Sequence, residues 1–286
     1  MRRLLAAQFP AWAALPLTRV EPGGTDNVIF RLGDEMSVRL PRRPSAARED
    51  KFNKERDWLP RLAPRLPLAV PEALAAGEPG EGYPCRWAVH RWVAGEPAER
   101  DRIGDPHRAA RDLAAFVVAM RGVDATGGPT PGAHNSFRGV PLRQRDRAMR
   151  EAIAASTGLV EIEAVTAAWE AALRAPEWTG PPRWLHGDLL PGNVLAQDGR
   201  ITGVIDFGCL GTGDPACDLL PAWTILPPEA RHTFRAAVEV DDDTWTRGRG
   251  WALSWAMIAL PYYIDSLPAF AAMARRTVDE VLADAG

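Results

Sequence analysis

The sequence predicts an α+β chain, with a mostly-β first third and a mostly helical remainder. Three observations carry this. Residues 28–32 and 36–40 alternate apolar and polar side chains about Gly33-Asp34-Glu35, the period of two expected of paired strands. From Asp105-Pro106 onward apolar residues recur at helical spacing, as in Leu113, Phe116, Val117 and Met120. A second hairpin interrupts the helical part, strand-like at 194–196 and 201–205 and turned by Gln197-Asp198-Gly199-Arg200. At 286 residues the chain can bury a sizeable core, as one large domain or as two lobes.

The elements follow in order. The first residues are basic and then rich in Leu and Ala, but Gln8, Pro10 and Pro16 interrupt the apolar run, so an N-terminal helix is expected rather than a signal peptide. Residues 17–20 form a strand. The loop Pro22-Gly23-Gly24-Thr25-Asp26-Asn27 follows, with backbone amides, at Gly24 and Thr25 among others, able to approach phosphates. In the hairpin, Val28, Phe30, Leu32, Met36, Val38 and Leu40 share one face, Arg39 lies opposite beside Ser37, and Pro41 ends the strand. Residues 45–62 read as a helix with Phe52, Leu59 and Leu62 on one face. Glu55 falls on that same inward face, and an inward carboxylate needs a partner. Residues 71–77 and 86–93 are further strands, and Ala94-Gly95-Glu96-Pro97 breaks the pattern. After the helix at 105, a Gly- and Pro-rich loop at 127–139 precedes helices at 143–155 and 161–173. The tail returns to helix, with Asp241-Asp242-Asp243 ahead of Thr244-Trp245 and an apolar run at 251–260.

Composition narrows the classes. Hydrophobic content of 46% and charged content of 25% are ordinary for a globular protein. The three cysteines, Cys85, Cys209 and Cys217, are odd in number and lack a Cys-x-x-Cys spacing, which disfavours a disulfide framework or zinc site and fits a cytoplasmic protein. No apolar stretch approaches a membrane span, and a net charge of -3 points to neither nucleic acid nor a membrane surface. Residues 1–93 carry net +4 and residues 209–286 net -5, which suits phosphates at one end and a cationic substrate at the other.

The chemistry concentrates in residues 184–208. There His186-Gly187-Asp188 is followed by Asn193, then by the apolar hairpin, then by Asp206-Phe207-Gly208. Phosphoryl transfer needs an acceptor oxygen held in line and cations on the phosphate oxygens. A carboxylate can take the proton of a hydroxyl, the role Asp188 suits; Mg²⁺ takes oxygen ligands, the role Asn193 and Asp206 suit. The hairpin folds its ends together, and Pro191-Gly192 turns the chain between Asp188 and Asn193, so the three converge.

His-Gly-Asp-x-x-x-x-Asn followed by Ile-Asp-Phe-Gly, with Gly211-Thr-Gly-Asp-Pro-Ala-Cys-Asp-Leu219 after it, resembles the aminoglycoside phosphotransferase family, related to choline kinases and more distantly to protein kinases. The resemblance implies a two-lobed protein-kinase-like fold, with a small mostly-β lobe over 1–93 and a larger mostly-helical lobe over 94–286. It implies Asp188 as catalytic base, with Asn193 and Asp206 as ligands of Mg²⁺. It makes Arg39 the strand cation that pairs with Glu55 and touches the α- and β-phosphates of ATP or GTP. Kinases usually place Lys there. This chain has two lysines, Lys51 and Lys54, both on the helix of Glu55, so Arg39 must serve, and its guanidinium can fork between carboxylate and phosphate. The hinge follows at 94–97, with backbone groups near Arg91 and Val93 at the adenine edge.

Gly187 stands where protein kinases usually have Arg, and no long loop or Ala-Pro-Glu follows Gly208. Both favour a small hydroxyl-bearing substrate, aminoglycoside-like or otherwise polar, over a protein substrate. Asp242, Asp243 and Trp245 are candidates to meet its amino groups and rings, although acids ahead of a helix also serve as caps, and Trp245, Trp251 and Trp255 also serve as core. Arg247 and Arg249 nearby count against a strongly polycationic acceptor. Two rival readings are a nucleotide-binding pseudokinase or regulator without turnover, motivated by Arg39, and a metal-dependent hydrolase using His186 with the aspartates.

Overall fold

A computed structural model describes residues 1–21 and 26–285. The first part is a helix, α1 (Arg2–Gln8), and strands β1 (Leu17–Arg19), β2 (Asn27–Leu32) and β3 (Met36–Pro41). Helix α2 (Ala46–Leu62) precedes β4 (Ala73–Gly77) and β5 (Trp87–Arg91). The five strands form an antiparallel sheet in the order β1-β2-β3-β5-β4.

The expected hairpin register is the one observed, with Val28 opposite Leu40, Phe30 opposite Val38 and Leu32 opposite Met36. Its apolar set closes on one side. Leu32, Val38 and Leu40, with Trp87 and Val89 of β5, pack against Leu4 and Leu5 of α1. The other face carries Arg39 and, across the β3–β5 register, Ala88 and His90. Helix α2 covers that face and brings Glu55 to Arg39. The lower end of α2 leaves the sheet: Leu59 and Leu62 join a second, larger hydrophobic cluster. Phe52 of the same expected face instead lies under the Arg86 guanidinium, 4.7 Å from it.

The chain then crosses into that second cluster. Residues 94–97, expected as a break in the pattern and a hinge, add a short strand β6 (Glu96–Pro97) beside the later hairpin. Helices α3 (Pro106–Gly122), α4 (Asp146–Ala155) and α5 (Ile162–Arg174) follow. Asp105 caps α3 by accepting the Arg108 N–H at 3.0 Å, and Leu113, Phe116, Val117 and Met120 are all buried. Burying a side chain such as Phe116 stabilises by roughly 1.5–3 kcal/mol. Strand β7 (Arg183–Leu185) pairs with β10 (Gly211–Gly213), and between them β8 (Val194–Gln197) and β9 (Arg200–Val204) form the expected hairpin. Asp198 and Gly199 turn it, with φ of 52° and 76°, the two left-handed residues of a tight primed turn.

Helices α6 (Pro221–Thr224), α7 (Pro228–Val238), α8 (Asp242–Tyr263) and α9 (Pro268–Ala285) complete the chain. Nearly every residue of α8 from Thr244 to Leu260 is buried, so this helix is a central strut rather than a surface element. Among the described residues no helix is long and apolar enough to cross a membrane.

Candidate active site

The hairpin β8–β9 does what its turn chemistry demands. Val194 pairs with Val204, and the Ile205 N–H donates to the Asn193 carbonyl at 2.8 Å. Asp206 therefore emerges beside Asn193. Its backbone is left-handed at φ 61°, a conformation that costs a non-glycine residue about 1 kcal/mol or more, and its Oδ1 accepts the Gly208 N–H at 3.3 Å. That geometry turns the carboxylate out into the cleft, where it is 46% exposed.

Asp188 reaches the same place from the loop after β7. The loop is tied from below by Asp218, which is buried and accepts the N–H of His186 at 2.6 Å and of Gly187 at 2.7 Å. Burial pushes the Asp218 carboxyl upward, and His186 with these two amides opposes that push. His186 is also fully buried. One ring nitrogen faces the Ile205 carbonyl at 3.1 Å and the other accepts the Asp188 N–H at 3.2 Å. Burial holds its basicity below the usual histidine range, and a ring nitrogen that accepts an N–H carries no proton of its own. Both nitrogens being engaged, His186 is not a ligand in waiting, which removes the main support for the hydrolase reading.

The Asp188 carboxylate receives two donors. Asn193 Nδ2 approaches Oδ2 at 2.9 Å and also the Asp188 carbonyl at 2.9 Å; Arg138 Nη2 approaches Oδ1 at 3.4 Å. Burial raises the Asp188 carboxyl and Arg138 opposes the rise. With its amide nitrogen turned to Asp188, Asn193 leaves its amide oxygen to face elsewhere. An amide oxygen and an outward carboxylate, Asn193 and Asp206, are a fitting hard-donor pair for Mg²⁺ when a nucleotide supplies further oxygens.

Above them sits the cation. Arg39 Nη1 lies 3.4 and 3.1 Å from the two Glu55 oxygens, and Nη2 lies 3.4 Å from Asp206 Oδ1. The guanidinium thus bridges the sheet, helix α2 and the Asp-Phe-Gly turn. Its side chain is 14% exposed and that of Glu55 13%. Burial works against the Arg39 charge, but Glu55 and Asp206 together outweigh it and hold the proton more firmly than on a free guanidinium. Burial pushes Glu55 upward against the pull of Arg39. His90 lines the same cavity with Ala88, Lys51 and Asp206, and burial depresses it to about 3.

The remaining expected residues fall out differently. Gly24 and Thr25 lie outside the described residues. The Arg91 N–H donates to the Glu72 carbonyl at 2.8 Å and its exposed side chain pairs with Glu72, so Arg91 is committed to the sheet. Among the described residues neither the N–H nor the C=O of Val93 has a hydrogen-bond partner, which leaves Val93 as the hinge position able to meet a base edge. Asp242, Asp243 and Trp245 stand at the N-terminal end of α8. Asp241 caps that helix through the Thr244 N–H, Asp242 pairs with Arg235, and Trp245 is buried against Trp223 and Phe234. The opposite end of α8 faces the site: burial, Tyr262 and the Asp26 and Asp188 charges all push the Tyr263 hydroxyl upward. At about 1.5 Å per residue the two ends are roughly 30 Å apart. Asp242 and Asp243 are thus exposed at the end of α8 remote from Tyr263, and Trp245 is committed to core packing.

Several site residues had gone unassigned. Lys51 Nζ pairs with Asp26 at 2.8 Å and lines the cavity with Arg39. It precedes Glu55 by four positions, so helical spacing did hold the signal. Lys54 is buried and donates to the carbonyls of His134, Gly208 and Leu210 at 3.2, 3.0 and 2.9 Å, pinning α2 to the Asp-Phe-Gly turn. Burial draws it down to about 8. Arg138 carried no local signal, and Asp218 stood in the resembling segment Gly211–Leu219 without a role assigned to it.

A model of the phosphotransferase enzyme family matches residues 17–251. An aminoglycoside 3′-phosphotransferase of Streptomyces fradiae is 44% identical over 62 residues, which is 21% of this chain and 19% of that protein, so the match spans about a fifth of the relative. Among solved structures, the GDP and kanamycin complex of APH(2″)-IIIa superposes with a TM-score of 0.74 at 20% identity, over 99% of this chain and 98% of that one. The apoenzyme of macrolide 2′-phosphotransferase MphH from Brachybacterium faecium gives 0.62 at 23% identity, over 96% and 95%. These likenesses bear out the expected fold, a mostly-β sheet followed by a helical part.

Proposed function

We propose, from the premise that this chain belongs to the phosphotransferase enzyme family, that it moves the γ-phosphoryl group of ATP or GTP to a hydroxyl of a small molecule. The nucleotide would sit between residues 1–93 and 94–286. The observation that carries this reading is the convergence of Asp188, Asn193, Asp206, Arg39 and Glu55 on one cleft from four separate elements.

In this reading Asp188 accepts the proton of the acceptor O–H as its oxygen bonds to the γ-phosphorus. The bond from that phosphorus to the bridging oxygen breaks, and its electron pair leaves with the nucleoside diphosphate. Arg39, held by Glu55, places its guanidinium on the α- and β-phosphates. Asn193 and Asp206 would hold Mg²⁺, which when bound neutralises phosphate charge. The Val93 backbone meets the base edge.

The acceptor class follows from the walls near Asp188. The C-terminal end of α8 turns toward the cleft, bringing Tyr262 and Tyr263, edge to face with ring centres 4.7 Å apart, and the exposed Asp265. A helix C-terminus carries partial negative charge and favours cations. Phe137, 52% exposed, adjoins Arg138 at the other side. Aromatic faces with a negative helix end suit a ring-bearing polyol, aminoglycoside-like or a related small polar compound. The kanamycin and macrolide names of the neighbours are consistent with such rings.

A ³¹P or mass-shift screen over aminoglycosides, macrolides, peptide antibiotics, nucleosides, choline and sugars tests the proposal. Asp188→Ala should bind ATP·Mg²⁺ within about twofold of the parent and lose transfer by roughly 10²–10⁴-fold. Asp206→Ala should weaken binding of the metal–nucleotide complex. Nucleotide binding without transfer to any compound would favour the pseudokinase reading. Full-rate transfer by Asp188→Ala would refute the assigned base.

A further inference from the structure

Arg138 belongs to no motif, yet it is the cation nearest the Asp188 carboxylate among the described residues. It follows a 3-10 turn at Ala133–Asn135, in a loop shaped to deliver it. Ser136 and Phe137 both take left-handed φ, 55° and 57°, a costly choice for two successive residues that are not glycine. Asn135 is fully buried, donates from Nδ2 to the Arg138 carbonyl at 3.0 Å, and accepts the Gly132 N–H at 3.0 Å. The Arg138 side chain is 10% exposed, with Nη2 at 3.4 Å from Asp188 Oδ1 and a buried Nε that lacks a partner among the described residues.

Gly187 completes the fit. Its φ is 80°, and a Cβ there would stand 3.0 Å from Arg138 Cβ and 2.9 Å from the Cys209 carbonyl. The space ahead of Asp188 that a side chain would need is taken by the Cys209 carbonyl and by the aliphatic stem of Arg138, whose guanidinium reaches on to the carboxylate. The consequence is steric as well as electrostatic. A carboxylate held through one oxygen can rotate about its last torsion; held through both, by Asn193 on Oδ2 and Arg138 on Oδ1, it has a fixed plane. Each oxygen keeps a lone pair, and the fixed plane decides where those lone pairs point.

We infer that Arg138 is a positioning residue for transfer: it fixes the plane of the Asp188 carboxylate so that a free lone pair faces the acceptor hydroxyl. Gly187 is the space-making half of the same device. The inference rests on the reading of Asp188 as the base, and its test separates the two.

The probe is ATP·Mg²⁺ with water as acceptor, read by phosphate release, and repeated with any hydroxyl compound the transfer screen finds. Arg138→Met should lower kcat by roughly tenfold or more while the nucleotide KM stays within about twofold. Arg138→Gln, which keeps a donor and part of the bulk, should do the same and carries the test if Arg138→Met fails to fold. Arg138→Lys should recover about fivefold over Arg138→Met, since it restores a donor without the fork. Combined with Asp188→Asn, either neutral variant should cost nothing further, because two groups acting through one carboxylate are not additive. A fall in kcat of less than tenfold, or a full additional loss on top of Asp188→Asn, overturns the role of Arg138. If Asp188→Asn itself hydrolyses and transfers at the parent rate, the reading of the base fails instead.

Discussion

Replacing Arg39 by Met removes the cation that joins three elements, and the structure separates its two effects. Both members of the Arg39–Glu55 pair are nearly buried, at 14% and 13% side-chain exposure, with the closer contact at 3.1 Å. Arg39→Met leaves Glu55 buried without its partner. Breaking a buried pair from one side costs about 3–5 kcal/mol, and the low end applies because burial already pushes Glu55 toward its neutral form. Glu55→Met is milder, about 1–2 kcal/mol, because Asp206 still lies 3.4 Å from the Arg39 guanidinium. The double variant Arg39→Met/Glu55→Met replaces the pair by apolar groups and should return to within about 1 kcal/mol of the parent. Urea unfolding followed by tryptophan fluorescence would therefore report a coupling of about 3–5 kcal/mol. Nucleotide binding should behave otherwise. A charge-assisted phosphate contact contributes about 1.5–3 kcal/mol, so ATP·Mg²⁺ affinity should fall roughly tenfold to a hundredfold in both Arg39→Met and the double variant. Recovery of nucleotide affinity alongside stability in the double variant would refute Arg39 as the phosphate cation. A single-variant loss below about 1 kcal/mol would refute the buried pair.

Two further outcomes follow from the same environment. His90 is held at about 3 in the folded chain, below the usual 6.5, so the unfolded chain binds the proton first. Stability from this group is whole above pH 6.5 and is lost as pH falls toward 3, by about 2 kcal/mol between pH 6.5 and 5; His90→Gln should flatten that part of the pH–stability curve, and an unchanged slope would contradict a neutral buried His90. Asp242→Asn should leave the acceptor KM unchanged, whereas Trp245→Ala, which empties a site between Trp223 and Phe234, should cost roughly 3–5 kcal/mol in unfolding measurements without a selective change in acceptor KM.

Much of the site was legible where the chain's local period did the placing. Strand alternation put Arg39 on the face opposite Val38 and Leu40, and helical spacing put Glu55 on the inward side of α2; the two meet in the structure. The Asp-Gly turn joined Asn193 to Asp206 because two left-handed residues close a hairpin in register. Lys51 was within reach of the same spacing argument as Glu55. Asp242, Asp243 and Trp245 sit at the N-terminal end of α8, and acids at a helix start look the same in sequence whether or not a ligand lies near them.

The sequence by itself determined the two kinds of architecture, the order of the transfer residues and the substitution of Arg39 for a strand lysine. These depend on contacts a few residues apart, where backbone geometry repeats. Only the tertiary structure decided which end of α8 faces Asp188, that Lys54 pins α2 to the Asp-Phe-Gly turn, that Asp218 ties down the loop of Asp188, and that Arg138 fills the space Gly187 leaves. Those contacts join irregular backbone across 31 to 154 residues of chain, where no period repeats and packing alone chooses the partner.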